Sequence, residues 1–187
     1  MTERAIYDKG YRALHWGMAL LVISALALIE FKGYLPKGRL KHDLVYLHMQ
    51  AGLLVFLLFW IRLYWRMRRP VPPITPQPSP LQEKAASLMH AVLYAMMAFI
   101  PVLGVLALQS KGKLVSFLGY SLPALLDEDK WLPYALRIRN FHELLGDILI
   151  GLILFHVAAA LLHHLFWRDD TLLRMLPGFN HNMKENQ

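Results

Sequence analysis

The sequence predicts an all-α, integral-membrane four-helix bundle, and three observations carry that prediction. Of 187 residues, 56% are hydrophobic and only 18% charged, with mean hydropathy +0.35; a soluble domain usually carries about 25% charge. The apolar excess is gathered in four uncharged stretches, 13–29, 44–61, 85–110 and 148–167, of 17, 18, 26 and 20 residues. A bilayer core of roughly 30 Å takes about 20 apolar residues of helix. Read as four spans, these stretches leave little chain for anything else, so residues 1–187 form a single membrane domain, with lipid as its first partner.

Residues 1–12 are polar, and helix 1 follows over about 12–30. A cleaved signal peptide is the other reading of this run, because Ala25, Leu26 and Ala27 resemble a small-residue cleavage site. Glu3 and Asp8 in the leading region and the length of the run favour a span. A basic loop (Lys32, Lys37, Arg39, Lys41) leads to helix 2 over 44–65. Residues 70–80 hold six of the eleven prolines. Such a tract is extended, at about 3.1 Å per residue, and reads as a spacer across the membrane surface rather than a peptide-recognition segment. Helix 3 covers 85–108 with a kink expected at Pro101. In the long connection 109–140, the apolar part 114–126 contains Gly119 and Pro123; it is too short to span and is expected at the interface. Helix 4 covers 141–166, and a polar tail begins at Arg168.

Charge and cysteine exclude several classes. The formal charge is +7, but no soluble basic face exists of the kind that nucleic-acid binding needs. With no cysteine, disulfides, thiolate zinc sites, iron–sulfur clusters and covalently attached c-type haem are out. Four spans put both termini on one side. That side collects 11 Lys and Arg against nine in the other two loops, so the positive-inside rule places both termini in the cytoplasm. The two outer loops carry only five acids, Glu30, Asp43, Asp127, Glu128 and Asp129.

Histidine is the excess that matters. Seven of nine lie in or at the edge of the apolar runs, where ionisable groups are costly and mark function. His142 and His156 are 14 residues apart, within about 40° of whole turns and about 21 Å along the axis. His163 continues the stripe, whereas His164 points elsewhere. Alternating helix direction puts His48 and His142 in one outer layer. His15, His90 and His156 share an inner layer. Zinc usually takes four protein ligands, or three with water, and no carboxylate or thiol accompanies these layers consistently. Two axial imidazoles from facing helices suit haem, and filling both axial positions makes an electron-transfer iron. Gly52 and Gly146, one turn after His48 and His142, and Gly17 beside His15 would give a flat macrocycle room. Arg62, 14 residues after His48, reaches the inner layer, where it either pairs with a haem propionate or snorkels to the interface. Gly104, Gly151 and the alanines at 158–160 read as close helix packing.

The sequence resembles the bacterial cytochrome b561 family, especially its superoxide oxidase branch. The resemblance runs over about 7–178 and is carried by LHW at 14–16, EFKGYLPKG at 30–38, the stretch from His48 to Gly52, VPPITPQPSP at 71–80, FHELLG at 141–146 and HVAAALLHHLFWRDDTLLRMLPG at 156–178. It implies a four-helix bundle in the bacterial inner membrane enclosing two haem b groups. By that resemblance His15 and His156 are axial ligands of the inner haem and His48 and His142 those of the outer one. His90 is left as a neighbour. The family's quinone site lies near the inner haem, which points to His163, with His164, Trp167 and Arg168. The branch implies electron flow from periplasmic superoxide to ubiquinone. A basic outer surface would draw in the superoxide anion, with Lys111 and Lys113 as leading residues and Lys32 and Arg39 behind them.

Two rival readings follow from the same residues. The chain could be the cytochrome b electron-transfer subunit of a larger dehydrogenase, fed by a donor protein instead of superoxide. It could also be a non-redox, histidine-rich transporter, which would show no b-type haem spectrum.

Overall fold

A computed structural model describes residues 7–176, and among them four helices are long and apolar enough to cross a membrane. α1 is Lys9–Gly33, α2 Arg39–Arg68 and α3 Pro80–Gln109. The fourth runs without a break over Glu128–Trp167: a short α4 (Glu128–Trp131), a 3-10 turn (Leu132–Tyr134), α5 (Ala135–Leu162) and a π-helical turn (His163–Trp167). Each helix outruns the expected range. The excess is polar or proline-bearing sequence at the ends, which hydropathy does not register but which caps still organise. Asp8 accepts a hydrogen bond from Tyr11 N–H at 2.8 Å to start α1. Ser79 and Gln82 form a reciprocal capping box at α3, with Pro80 in the first turn. α3 continues through Pro101.

The molecule is a multi-pass membrane protein, and its surface says so independently of helix length. Leu20, Leu88, Phe99, Leu154 and Phe155 are all more than 60% exposed, an arrangement that a lipid solvent stabilises and water does not.

Packing is in two helical hairpins. α1 lies mainly on α2 and α3 mainly on α5, with α2 on α3 as the hinge between the pairs. α5 makes little close backbone contact with α1 or α2, so a cleft separates the α1–α2 hairpin from α5. It is closed at mid-depth by a core of Val22, Val55 and Leu149, backed by Leu21, Leu93, Met96 and Ile153 among others. The register of this core is informative: Val22 follows His15 by seven residues, Val55 follows His48 by seven, and Leu149 lies seven from both His142 and His156. Seven residues are about 10 Å of helix, so the core is a septum between the two histidine layers.

The two connections and the tail are more structured than their composition suggests. At the loop end of the bundle, where α1 and α3 finish, Ser116–Phe117 (β1) pairs antiparallel with Tyr120–Ser121 (β2) within the apolar part of the long connection. Two glutamine side chains fasten it by bonding backbone in both directions. Gln50 donates to Ser116 O at 2.7 Å and accepts from Leu118 N–H at 2.9 Å. Gln109 donates to Pro123 O at 2.8 Å and accepts from Leu125 N–H at 2.9 Å. Gly112 has φ of +65°, and the Glu128 carboxylate occupies the space a side chain would need.

At the opposite, tail end, the proline tract is more than the spacer that was expected. Asp170 exchanges two bonds with Thr75, its N–H to Thr75 O at 3.1 Å and its carboxylate from Thr75 N–H at 2.9 Å. Arg174 donates to Pro72 O. Proline has no N–H to give a helix or ladder, so the carbonyls of such a tract stay free, and the tail uses them. Arg12 and Trp16 of α1 then bond Leu176 O and Met175 O at 2.8 and 2.7 Å. His181 lies outside the described residues.

Candidate functional site

Helix hairpins and septum together make two chambers, and each chamber is faced by histidine across the cleft. At the loop end the His48 and His142 rings stand with centroids 6.1 Å apart, planes crossed at 79°. At the tail end His15 and His156 are 6.5 Å apart and crossed at 76°. Both pairs therefore join the α1–α2 hairpin to α5. His90, from α3, reaches the same tail-end chamber, 5.6 Å from His156.

Ring anchoring differs between the layers. His48 donates from Nδ1 to Ala25 O at 2.8 Å and His142 from Nδ1 to Ile100 O at 3.0 Å. A carbonyl on Nδ1 fixes the tautomer and frees Nε2 toward the cleft, the usual second partner of a ligating imidazole. Gly104 belongs to this arrangement: a Cβ there would come within 3.0 Å of His142 Cε1. This is the close helix packing expected at Gly104, with the His142 ring of α5 as the surface it lets α3 approach. Gly151, by contrast, has nothing within 4 Å, which corrects its reading as a packing contact. At the tail end His90 donates from Nδ1 to Ala86 O of its own helix at 2.6 Å.

Whether the chambers suit haem is answered by their shape and donors. Two imidazoles bound to one metal from opposite faces, each at about 2 Å, have ring centroids roughly 6 Å apart. Both cross-cleft pairs meet that spacing. A Cβ added at Gly17, Gly52 or Gly146 would touch nothing within 4 Å, so these positions border open space of the kind a flat macrocycle fills. Arg62 is 7% exposed, its Cζ lies 4.9 Å from the Tyr11 ring centroid, and its Nη1 is buried without a hydrogen-bond partner among the described residues. A buried guanidinium with an unused donor is matched to a carboxylate. Among the described residues no three His, Asp or Glu are grouped as for a protein-only metal site. The residues fit haem.

The tail supplies the second constellation. After the π-helical turn, Arg168 takes a left-handed conformation (φ 52°) and turns the chain back beneath α5. Asp169, 4% exposed, then accepts from His163 Nδ1 at 2.5 Å and from Thr171 N–H at 2.9 Å. Burial pushes the Asp169 carboxyl up, but the bonds from His163 and Thr171 outweigh this and hold it below its ordinary value. Trp167 lies with its ring 4.8 Å from that of His163 and is 46% exposed. His164 is adjacent, with Nδ1 buried and unpartnered among the described residues. The structure thus gathers His163, His164, Trp167 and Arg168 in one turn. Asp169, Asp170 and Arg174 escape a sequence reading, since a D-D pair after a span looks like solvated tail. What could have marked them is that they fall inside the 156–178 segment that carries the family resemblance, with helix-like spacing from Asp170 to Arg174.

The basic residues of the loop end are spread out. Lys111 is half-buried and Lys113 exposed at the end of α3, with the Glu128 carboxylate against Gly112 between them. Lys32 lies in the last turn of α1. None of Lys32, Arg39, Lys111 and Lys113 is ion-paired among the described residues.

Comparison with known proteins adds to this geometry. A family model described as prokaryotic cytochrome b561 matches residues 6–178. The chain is 39% identical over 172 residues to cytochrome b561 homolog 1 of Escherichia coli (strain K12), covering 91% of this chain and 97% of that one. It is 33% identical over 164 residues to the probable superoxide oxidase CybB of Yersinia pestis, covering 88% and 92%. To cytochrome b561 homolog 2 of Escherichia coli (strain K12) it is 32% identical over 170 residues, covering 88% and 87%.

Proposed function

We propose, for a chain that belongs to the prokaryotic cytochrome b561 family, a superoxide:ubiquinone oxidoreductase holding two haem b groups. Members of this family are haem-b membrane electron-transfer proteins, and the proposal specifies donor, acceptor and direction. The observation that carries it is the pair of cross-cleft histidine couples on either side of an apolar septum. That arrangement gives one redox chamber to each half of the membrane.

His48 and His142 hold the haem at the loop end, and His15 and His156 the haem at the tail end. Haem held between two imidazoles in this way would supply one-electron transfer rather than oxygen chemistry. Arg62 neutralises a propionate at the tail end. The loop end faces the periplasm and both termini the cytoplasm of the inner membrane. Lys32, with Lys111, Lys113 and Arg39, gives the loop end a positive field that concentrates the superoxide anion. Ubiquinone docks at the tail end against Trp167, His163, His164 and Arg168.

The balance is simple. Two superoxide anions each lose one electron and leave as dioxygen, while one ubiquinone takes up two electrons and two protons to become ubiquinol. No side chain serves as nucleophile; the chain binds, positions and moves protons. The relative named probable superoxide oxidase supports this choice of donor, at 33% identity over most of both chains.

The test is superoxide-driven ubiquinone reduction by the purified, detergent-solubilised protein, with haem measured on the same sample. The expected result is one ubiquinol per two superoxide consumed. If ubiquinol still reduces the haems but superoxide does not, the chain takes its electrons from a donor protein and the superoxide assignment is wrong.

A further inference from the structure

Asp169 is a buried acid that electron transfer as such does not require. The chain goes to some length to place it. The π-helical turn ends in the left-handed Arg168, and Asp169 N–H returns to His163 O at 3.2 Å. Its two carboxylate oxygens are then divided, Oδ2 to His163 Nδ1 at 2.5 Å and Oδ1 to Thr171 N–H at 2.9 Å. Asp170 and Arg174, both nearly fully buried, lock the following turn to Thr75 and Pro72. The backbone that carries the acid is therefore anchored, and its carboxylate cannot swing away from the imidazole without also losing the bond from Thr171 N–H.

We propose that Asp169 is a positioning residue: it fixes His163 with Nδ1 protonated and presents Nε2 as the atom that hands a proton to a ubiquinone carbonyl oxygen. This rests on the reading that ubiquinone docks beside His163. An imidazole whose Nδ1–H is committed to a buried carboxylate has one tautomer and one orientation. The same negative charge stabilises the imidazolium that carries the second proton. In the step, the Nε2–H bond breaks and an O–H bond forms on the quinone, whose electrons come from superoxide, the donor of the proposed function. His163 is left neutral with Nδ1–H still on Asp169, and Nε2 is reprotonated from water at the tail end. The carboxyl's retention of its charge suits this role, since a protonated Asp169 would no longer favour the imidazolium. Trp167, tilted 43° against His163 and half-exposed, offers the flat face on which a quinone ring can lie next to Nε2.

The experiment compares wild type, Asp169→Asn, Asp169→Glu and His163→Gln as haem-loaded full chains, with ubiquinone as the varied substrate. Asp169→Asn keeps an oxygen for Nδ1–H and removes the charge. It is expected to lower kcat for quinone reduction by about tenfold or more, to leave KM within about twofold, and to raise the solvent deuterium isotope effect, while Asp169→Glu recovers part of the rate. A rise in KM at unchanged kcat would mean that Asp169 only shapes the pocket, and overturns the proposal. So does wild-type turnover in Asp169→Asn when His163→Gln is impaired. If His163→Gln itself reduces quinone normally, the fault lies with the placing of ubiquinone, not with Asp169. A readout without turnover guards against misfolded variants: histidine 15N NMR of the wild-type chain should show a strongly downfield Nδ1 proton. Its absence contradicts the dyad.

Discussion

His90 is the residue at which spacing and geometry pull in different directions. Its Nδ1 is anchored on a carbonyl as in His48 and His142, and its ring is closer to His156 than that of His15 is. Two arguments still favour His15 as the proposed partner. Its 6.5 Å separation leaves room for an iron between the rings, and it reaches across the cleft from the α1–α2 hairpin as His48 does in the other layer. His90 comes from α3, which packs on α5, so the His90–His156 contact stays within one hairpin. Replacing His15 with Ala is therefore expected to lose one haem of two, whereas His90→Ala keeps both and shifts only the tail-end haem's potential. A pyridine haemochrome assay on each variant checks this, and haem loss confined to His90→Ala would reverse the assignment. How much of this was legible in the sequence depends on the residue. Helix periodicity puts His142 and His156 on one stripe, and chain direction sorts the layers. Neither can choose between His15 and His90, because depth along the normal says nothing about which side of a cleft a helix occupies.

At the scale of helices, the seven-residue steps from histidine to Val22, Val55 and Leu149 make the septum a shared wall. Packing there is the chief contact that holds α5 to the α1–α2 hairpin between the chambers. Leu149→Ala removes a buried side chain at its centre, at a cost of about 2–5 kcal/mol. The expected outcome is a lower thermal midpoint with accelerated loss of both haems together, read from the Soret band during heating. Loss of one haem alone would show that the septum is not common to them. The spans themselves are legible because lipid demands long uncharged runs. The tail clamp is not, because its partners are backbone carbonyls of a proline tract about a hundred residues away in the chain, and a free carbonyl leaves no mark in a side-chain sequence. The glutamine straps at Gln50 and Gln109 are illegible for the same reason: one amide on an apolar helix reads as a tolerated polar residue until its backbone partners are known.

For the molecule as a whole, the distribution of charge follows the proposed path of the electron. Among the described residues Lys32, Arg39, Lys111 and Lys113 form no ion pair, whereas Lys130 and Arg139 are paired with Asp127 and Glu143, and the Glu128 carboxylate against Gly112 partly offsets Lys111 and Lys113. The rate of superoxide consumption should therefore fall as ionic strength rises through about 0.1 M, and Lys32→Gln should weaken that dependence more than Lys113→Gln does. A salt-independent rate would remove electrostatic steering from the account. The central claim remains structural: two histidine couples, one on each side of the septum, each hold a haem. The measurement that tests it most directly is the molar ratio of haem b to chain in the purified protein, taken with His48→Ala on the same day. The account predicts two haems in the wild type and one in the variant. One haem in the wild type, or two retained in His48→Ala, would contradict it.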